Sequence, residues 1–141
     1  MTSSLVIQTA FLGDVVLTTP LIAALAKRGP VDVVTTPAAA GLLANNPAVR
    51  SVIPYDKRGV GLGLFGFWRL ARRLRGLAYD EAYLAQASVR SGALARWAGI
   101  PARVGFATSA GGAFYTRRVP YDDSLHHTAR LLQLAGEDAA T

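Results

Sequence analysis

The sequence predicts one α/β domain built on a Rossmann-like, doubly wound and mainly parallel sheet. Three observations favour this fold class. Short apolar runs alternate with segments of helical periodicity, the connections between them are brief, and 141 residues are enough for one hydrophobic core. Strands that alternate with helices in this way form a parallel sheet that is covered by helices on both faces.

The apolar runs predict the strands of this sheet. Five runs have the length and composition of buried strands, over residues 5–10, 31–36, 49–55, 79–85 and 102–107. We expect a parallel sheet of five or more strands with the first strand in a central position. In such sheets ligands bind at the carboxyl ends of the strands, beside the first turns of the helices.

The segments between the strands predict the helices. The first helix, over residues 14–28, is expected to present one face that carries Val16, Thr19, Ile22 and Ala23. A short second helix begins at Pro37, because proline is tolerated in a first turn, and it stops at Asn45–Asn46–Pro47. Further helices are expected over residues 64–76, 88–99 and 124–136.

The predicted helix over residues 64–76 is basic and amphipathic. One side carries the apolar residues Leu64, Phe67, Trp68, Ala71 and Leu74, and another carries Arg69, Arg72 and Arg73. The ordinary interpretation is a helix that packs on the sheet and exposes its arginines to solvent. The alternative is weak attachment to an anionic membrane surface.

Composition restricts the class of protein. About half of the residues are apolar (51%) and 17% are charged, which excludes a disordered chain, and the absence of cysteine excludes disulfides and thiolate metal sites. We find no signal peptide and no apolar run of the length that spans a bilayer, so we expect a cytoplasmic protein. The net charge of +6, carried mostly by arginine, indicates an anionic partner.

Common nucleotide and hydrolase motifs are absent. The loop "FLGDVV" has one glycine where a dinucleotide-binding loop needs G-x-G-x-x-G, and no P-loop, H-E-x-x-H or G-x-S-x-G occurs. The charged residue of this loop is Asp14, which follows the first strand and opens the first helix. An aspartate there stabilises the helix N-terminus by capping. It is also placed to act as a general base towards a hydroxyl group, and the residues alone leave both roles open.

Five stretches of the chain resemble one known family in order and spacing. They are "SLVIQTAFLGDVVLTTPLIAAL", "NPAVRSVIPYDK", "YDEAYLAQASVRSGALARWAGIPARVGF", "YTRRVPY" and "HHTARLLQLAG". The first is similar to the N-terminal signature of the lipopolysaccharide heptosyltransferases, glycosyltransferase family 9, in which Gly13 and Asp14 are followed by an apolar pair and then by Thr18, Thr19 and Pro20. Within this family, the third stretch is more similar to heptosyltransferase II than to other heptosyltransferases.

The resemblance implies an activity and a role for Asp14. These enzymes transfer heptose from ADP-heptose to the inner core of lipopolysaccharide with inversion of the anomeric centre, and need no cofactor or metal. The aspartate of the Gly-Asp motif is regarded as the general base, and Asp14 is the matching residue. By this resemblance Asp14 is the expected catalytic residue, a role that is compatible with stabilising the helix.

The acceptor implied by the resemblance is acidic, because the lipid A precursor carries Kdo carboxylates and in many bacteria phosphates. Guanidinium and ammonium groups would bind it. The candidates by position are Lys57, Arg58, Arg90, Arg117 and Arg118. Ordinary surface charge is the alternative explanation for each of them.

The resemblance also implies a two-domain GT-B architecture. Residues 1–141 correspond to the N-terminal, acceptor-binding domain, and nothing in them resembles the C-terminal domain that binds ADP-heptose. We therefore expect this chain to be inactive alone. We also expect a cytoplasmic location, with weak contact at the inner face of the cytoplasmic membrane as the alternative, and no binding of nucleic acid. The alternative is a basic Rossmann-like module without catalysis that binds nucleic acid or a phosphorylated ligand.

Overall fold

The computed structural model describes residues 2–9, 12–55, 63–85, 89–106, 114–119, 131–132 and 134. Its centre is a sheet of six parallel strands in the order β3-β2-β1-β4-β5-β6. The strands are β1 (Ser4–Gln8), β2 (Val31–Thr35), β3 (Ser51–Pro54), β4 (Glu81–Leu84), β5 (Ala102–Phe106) and β6 (Arg117–Val119). The predicted α/β fold class and the central position of the first strand are confirmed.

Helices cover both faces of the sheet. The complete helices in the described part of the chain are α1 (Leu12–Ala26), α2 (Pro37–Leu43), α3 (Gly63–Leu77) and α4 (Val89–Trp97). The apolar side chains of α1 and α2 pack on one face of the sheet, and those of α3 and α4 pack on the other. Because each helix follows a parallel strand, all four helices begin at the edge where the strands end, which we call the carboxyl edge.

The buried face of α1 differs from the predicted one. The helix buries Val15, Thr18, Leu21, Ile22, Ala24 and Leu25. Of the four residues expected on that face, Ile22 is buried, whereas Val16 is 50% exposed and Ala23 is exposed. The physical reason is that α1 is apolar on nearly every side, so that periodicity alone does not select the face that meets the sheet.

The sixth strand was not among the five predicted ones. It has only three residues and begins with two arginines, so it carries no apolar run. Its position depends on Gly105, since a Cβ atom there would overlap the ring of the buried Tyr115 that leads into β6. The predicted last helix lies mostly outside the described residues, but Leu131 and Leu134 pack into the core on the α1 side.

A buried carboxylate holds together the opposite edge of the sheet, where the strands begin. Asp32 of β2 is 2% exposed and accepts two hydrogen bonds from the guanidinium of Arg50, from Nε at 3.0 Å and from Nη2 at 2.8 Å. The hydroxyl of Tyr79 donates to the same carboxylate at 2.5 Å. Burial, followed by the hydrogen bond to Asp32, raises the pKa of Tyr79. The hydrogen bonds to Asp32 raise the pKa of Arg50 as well. The cluster thus joins two segments to β2, the one that precedes β3 and the one that precedes β4.

Tyr83 gives the fold a sensitivity to alkaline pH. Its side chain is fully buried and its hydroxyl donates to Glu81 at 3.0 Å. Burial, followed by the charge of Glu81, raises the pKa of Tyr83 from 10.0 to about 12. Neutral Tyr83 therefore contributes stability that is complete below the unfolded pKa and is lost as pH rises through the folded one. We expect the melting temperature to fall as pH rises from the unfolded pKa through the folded pKa of Tyr83, and to fall less in the Tyr83→Phe variant. Equal slopes of melting temperature against pH in the two proteins would contradict this role of Tyr83.

Candidate functional site

Asp14 lies at the carboxyl edge of the central strand. β1 ends at Gln8 and α1 begins at Leu12, so Asp14 is the third residue of the helix and lies in its first turn. Its side chain is half-buried. A carboxylate in a first turn interacts favourably with the positive end of the helix macrodipole. Since Asp14 lies inside α1, its stabilising role is this interaction and not that of the residue that precedes a helix.

A buried hydrogen bond fixes the first turns of α1 to the end of β1. Gln8 and Thr18 are both buried, and Nε2 of Gln8 donates to the hydroxyl of Thr18 at 3.1 Å. The same hydroxyl donates to the backbone carbonyl of Asp14 at 2.7 Å. Thr18 thus positions the backbone of Asp14 relative to the sheet. Gln8 was not among the predicted residues, although a lone amide in the apolar run "LVIQTA" is a signal of such a contact.

Thr19 compensates for the proline inside α1. Pro20 has no N–H group, so the carbonyl of Val16, four residues before it, lacks its usual helical donor. The hydroxyl of Thr19 donates to this carbonyl at 2.7 Å. The Thr-Thr-Pro sequence therefore has a structural explanation. Thr18 attaches the helix to β1, and Thr19 supplies the hydrogen bond that Pro20 is unable to donate.

The surface around Asp14 is open and partly apolar within the described residues. Leu12 is 51% exposed, Val16 is 50% exposed, and Leu17 is also exposed. Gly13 is exposed as well, and a Cβ atom added there would meet nothing within 4 Å. The packing of the described residues therefore does not require a glycine at this position, although glycine is unfavourable within helices.

Arg90 is the predicted acceptor residue that the topology brings to this region. It is the second residue of α4, which follows β4, and β4 is the neighbour of β1 in the sheet. Its side chain is exposed. The first turns of α1 and α4 therefore lie at the same edge, above adjacent strands, on opposite faces of the sheet.

Arg117 and Arg118 lie further away, on the edge strand β6. Three strand spacings, about 14 Å, separate β6 from β1. Consecutive residues of a strand face opposite sides of the sheet. Arg117 is paired with Val104 on the α1 side, and its charge, like that of Arg28, offsets part of the rise in the pKa of Tyr83. Acceptor binding by Arg117 or Arg118 stays a prediction.

Other predicted features lie outside the described residues. These are the predicted acceptor residues Lys57 and Arg58, which follow β3 in the sequence. Within the described ranges, no cluster of three or more histidine, aspartate or glutamate side chains could hold a metal ion. The described helices are too short, or not apolar enough, to cross a bilayer.

The connection between Gln8 and Thr18 gives a prediction for stability. Thr18→Val keeps the shape of the side chain but leaves one hydrogen bond of a buried amide unmade, so we expect a loss of about 1–3 kcal/mol. Thr19→Val is the matched control, because water can replace its exposed hydroxyl, and it should change stability by less than about 0.5 kcal/mol. Urea denaturation of both variants measures the difference. Equal losses would contradict the anchoring role of Thr18.

Three solved glycosyltransferase structures share the fold of this chain. A glycosyl transferase family 9 structure from Veillonella parvula superposes with a TM-score of 0.86 at 22% identity, over 96% of this chain and 41% of the other. The E. coli ADP-heptose lipopolysaccharide heptosyltransferase II superposes with a TM-score of 0.82 at 26% identity, over 99% and 41%. The E. coli heptosyltransferase WaaC, solved with ADP-2-deoxy-2-fluoro heptose, superposes with a TM-score of 0.82 at 24% identity, over 94% of this chain and 47% of the other. This chain therefore spans less than half of the length of each.

The sequence itself matches a family model. No curated protein matches the chain significantly. The model of glycosyltransferase family 9 (heptosyltransferase) matches residues 67–139, which is just over half of the chain. With the fold, this confirms the resemblance found in the sequence: the protein belongs to glycosyltransferase family 9, the heptosyltransferase family.

Proposed function

We propose that this chain forms the acceptor-binding half of an inverting heptosyltransferase, with Asp14 as its general base. In the proposed reaction an acceptor hydroxyl attacks the anomeric carbon of ADP-heptose, ADP leaves from the opposite side, and Asp14 takes the hydroxyl proton. The donor would be ADP-heptose, and the acceptor the Kdo-bearing inner core of a lipopolysaccharide precursor. We assign no cofactor or metal to this reaction.

The single observation that carries the proposal is the position of Asp14. Its carboxylate lies in the first turn of the helix that follows the central strand, where ligands of such sheets bind. Two features support a catalytic role. The backbone of Asp14 is held to β1 through Thr18, and the surface beside it carries exposed apolar residues and a glycine that the described packing does not require.

We propose that basic residues at the carboxyl edge bind the acidic acceptor. Arg90 is the candidate with the most direct support, because it is exposed at the start of α4, which follows the strand next to β1. Lys57 and Arg58 remain candidates from their place after β3 in the sequence. Arg117 and Arg118, on the edge strand, would contribute only to an acceptor that extends across the sheet.

A second Rossmann-like domain would bind ADP-heptose. Residues 1–141 correspond to less than half of the solved heptosyltransferases, and we propose that the donor site lies in the remainder of such an enzyme. The chain by itself would therefore be inactive. We also propose a cytoplasmic location with contact at the inner face of the membrane, where the acceptor is anchored.

Heptose transfer tests the proposal directly. The chain, joined to a donor-binding half, should release ADP from ADP-heptose only when a Kdo-bearing acceptor is present, and the product should have the inverted anomeric configuration. The chain alone should release none. Retention of configuration, or transfer that does not depend on the acceptor, would contradict the proposed chemistry.

A further inference from the structure

We propose that the outer surface of α3 and α4 docks on an anionic phospholipid surface. We call this surface the aromatic–arginine face, and its members are Phe65, Trp68, Arg69, Arg72 and Arg73 of α3 together with Trp97 of α4. It lies on the side of the sheet away from α1. It is distinct from the proposed acceptor-binding residues.

Large aromatic side chains are exposed on this face. Phe65 is 64% exposed, Trp68 is 47% exposed and Trp97 is 40% exposed. Trp68 was expected on the packed side of its helix, but the structure turns it outward, where its ring meets that of Trp97 edge-on at 6.2 Å. The row continues through Phe67 at one end and Phe114 at the other, each at 6.2 Å. Tryptophan and phenylalanine with this exposure are typical of helices that lie in a membrane interface.

The charges of this face are of one sign. The face carries three arginines, and the sequences of α3 and α4 contain no aspartate or glutamate. The guanidinium of Arg69 lies 5.8 Å from the centre of the Phe65 ring, and Arg75 donates to the carbonyl of Trp97 at 2.9 Å. Arginines among exposed aromatic rings complement anionic headgroups above a shallow apolar layer. Charge complementarity therefore selects an anionic lipid surface over a neutral one.

The orientation of α3 fits a substrate that is anchored in a membrane. α3 follows β3, so its first turns, with Phe65, lie at the carboxyl edge, as Asp14 does. Docking through this face would bring that edge close to the lipid headgroups. In this respect the inference rests on the proposed function, although vesicle binding itself requires neither donor nor acceptor.

Flotation with lipid vesicles tests the inference without any transfer reaction. The 141-residue chain is mixed with phosphatidylcholine vesicles, with or without phosphatidylglycerol. We expect it to float only with the anionic vesicles, with a blue shift of tryptophan emission, and to be released by high salt. Arg69→Gln, Arg72→Gln and Arg73→Gln together should lower the partition coefficient roughly tenfold or more.

A second variant removes the aromatic part of the face and keeps the charges. Phe65→Ser with Trp68→Ser should also weaken binding, and both side chains are exposed, so circular dichroism and melting should stay close to those of the parent. Leu42→Ser and Lys27→Gln are the matched controls, because they remove exposed apolar surface and positive charge elsewhere in the chain. They should bind as the parent does.

Three outcomes would overturn the inference. These are no binding to anionic vesicles at low salt, equal binding to neutral vesicles, and binding that neither variant changes. Loss of self-association in the Phe65 and Trp68 variant, without vesicle binding by the parent, would identify a protein contact instead. Failure of transfer with intact vesicle binding would contradict only the proposed function.

Discussion

Asp14→Asn is expected to abolish most heptose transfer while leaving the fold intact. Asparagine has nearly the same shape but does not accept the hydroxyl proton, and general-base contributions are roughly 10²–10⁴-fold. The structural cost is small, because Asp14 lies in the first turn of α1 and the lost interaction with the macrodipole is about 0.3–1 kcal/mol. The measurement is ADP release from ADP-heptose with a Kdo-bearing acceptor, by the chain joined to a donor-binding half.

The comparison that isolates the chemistry is with Thr19→Val. This change lies in the same helix and removes an exposed hydrogen bond to the carbonyl of Val16, without touching a carboxylate. It should keep turnover within a few-fold of the parent. A melting curve for each variant shows that both are folded at the assay temperature. If Asp14→Asn also keeps turnover within a few-fold, the carboxylate serves only the helix and the proposed mechanism is wrong.

The largest loss of stability is expected from Arg50→Met. The change leaves the carboxylate of Asp32, which is 2% exposed, without its guanidinium partner, and removing one member of a buried pair is strongly destabilising. The side chain of Arg50 is 48% exposed, so water can partly replace it, and we expect a loss of about 2–4 kcal/mol. For a domain of this size that is a fall of roughly 10 °C in melting temperature.

Arg73→Met is the control for this measurement. Arg73 is exposed on α3, and its replacement should change the free energy of unfolding by less than about 0.5 kcal/mol. Tyr79→Phe removes the third member of the cluster and should have an intermediate effect, since it deletes one hydrogen bond to a carboxylate that keeps its arginine. If Arg50→Met lowers the free energy of unfolding no more than Arg73→Met does, water solvates the carboxylate of Asp32 well enough to replace Arg50.

Five of the six strands and the position of Asp14 were predictable from local patterns. Runs such as "LVIQTA" are apolar and bounded by polar or helical segments, so their existence follows from the sequence, although β1 ends two residues earlier than predicted. Parallel pairing then places the end of β1 and the start of α1 at one edge. The family resemblance supplied the proposed role of Asp14 as general base, because position alone left the choice between catalysis and helix stabilisation open.

The sequence by itself determined the α/β alternation, the parallel sheet with a central first strand, and the carboxylate at its carboxyl edge. Only the tertiary structure decided which side of α1 is buried, that Trp68 faces outward, and that Asp32, Arg50 and Tyr79 meet. The reason is physical. Periodicity selects the buried face only where apolar and polar residues contrast, which they do not in α1. It does not decide the orientation of a residue at the margin of an apolar stripe, such as Trp68 in α3. Contacts between residues 18 and 47 positions apart form only when the strands pair.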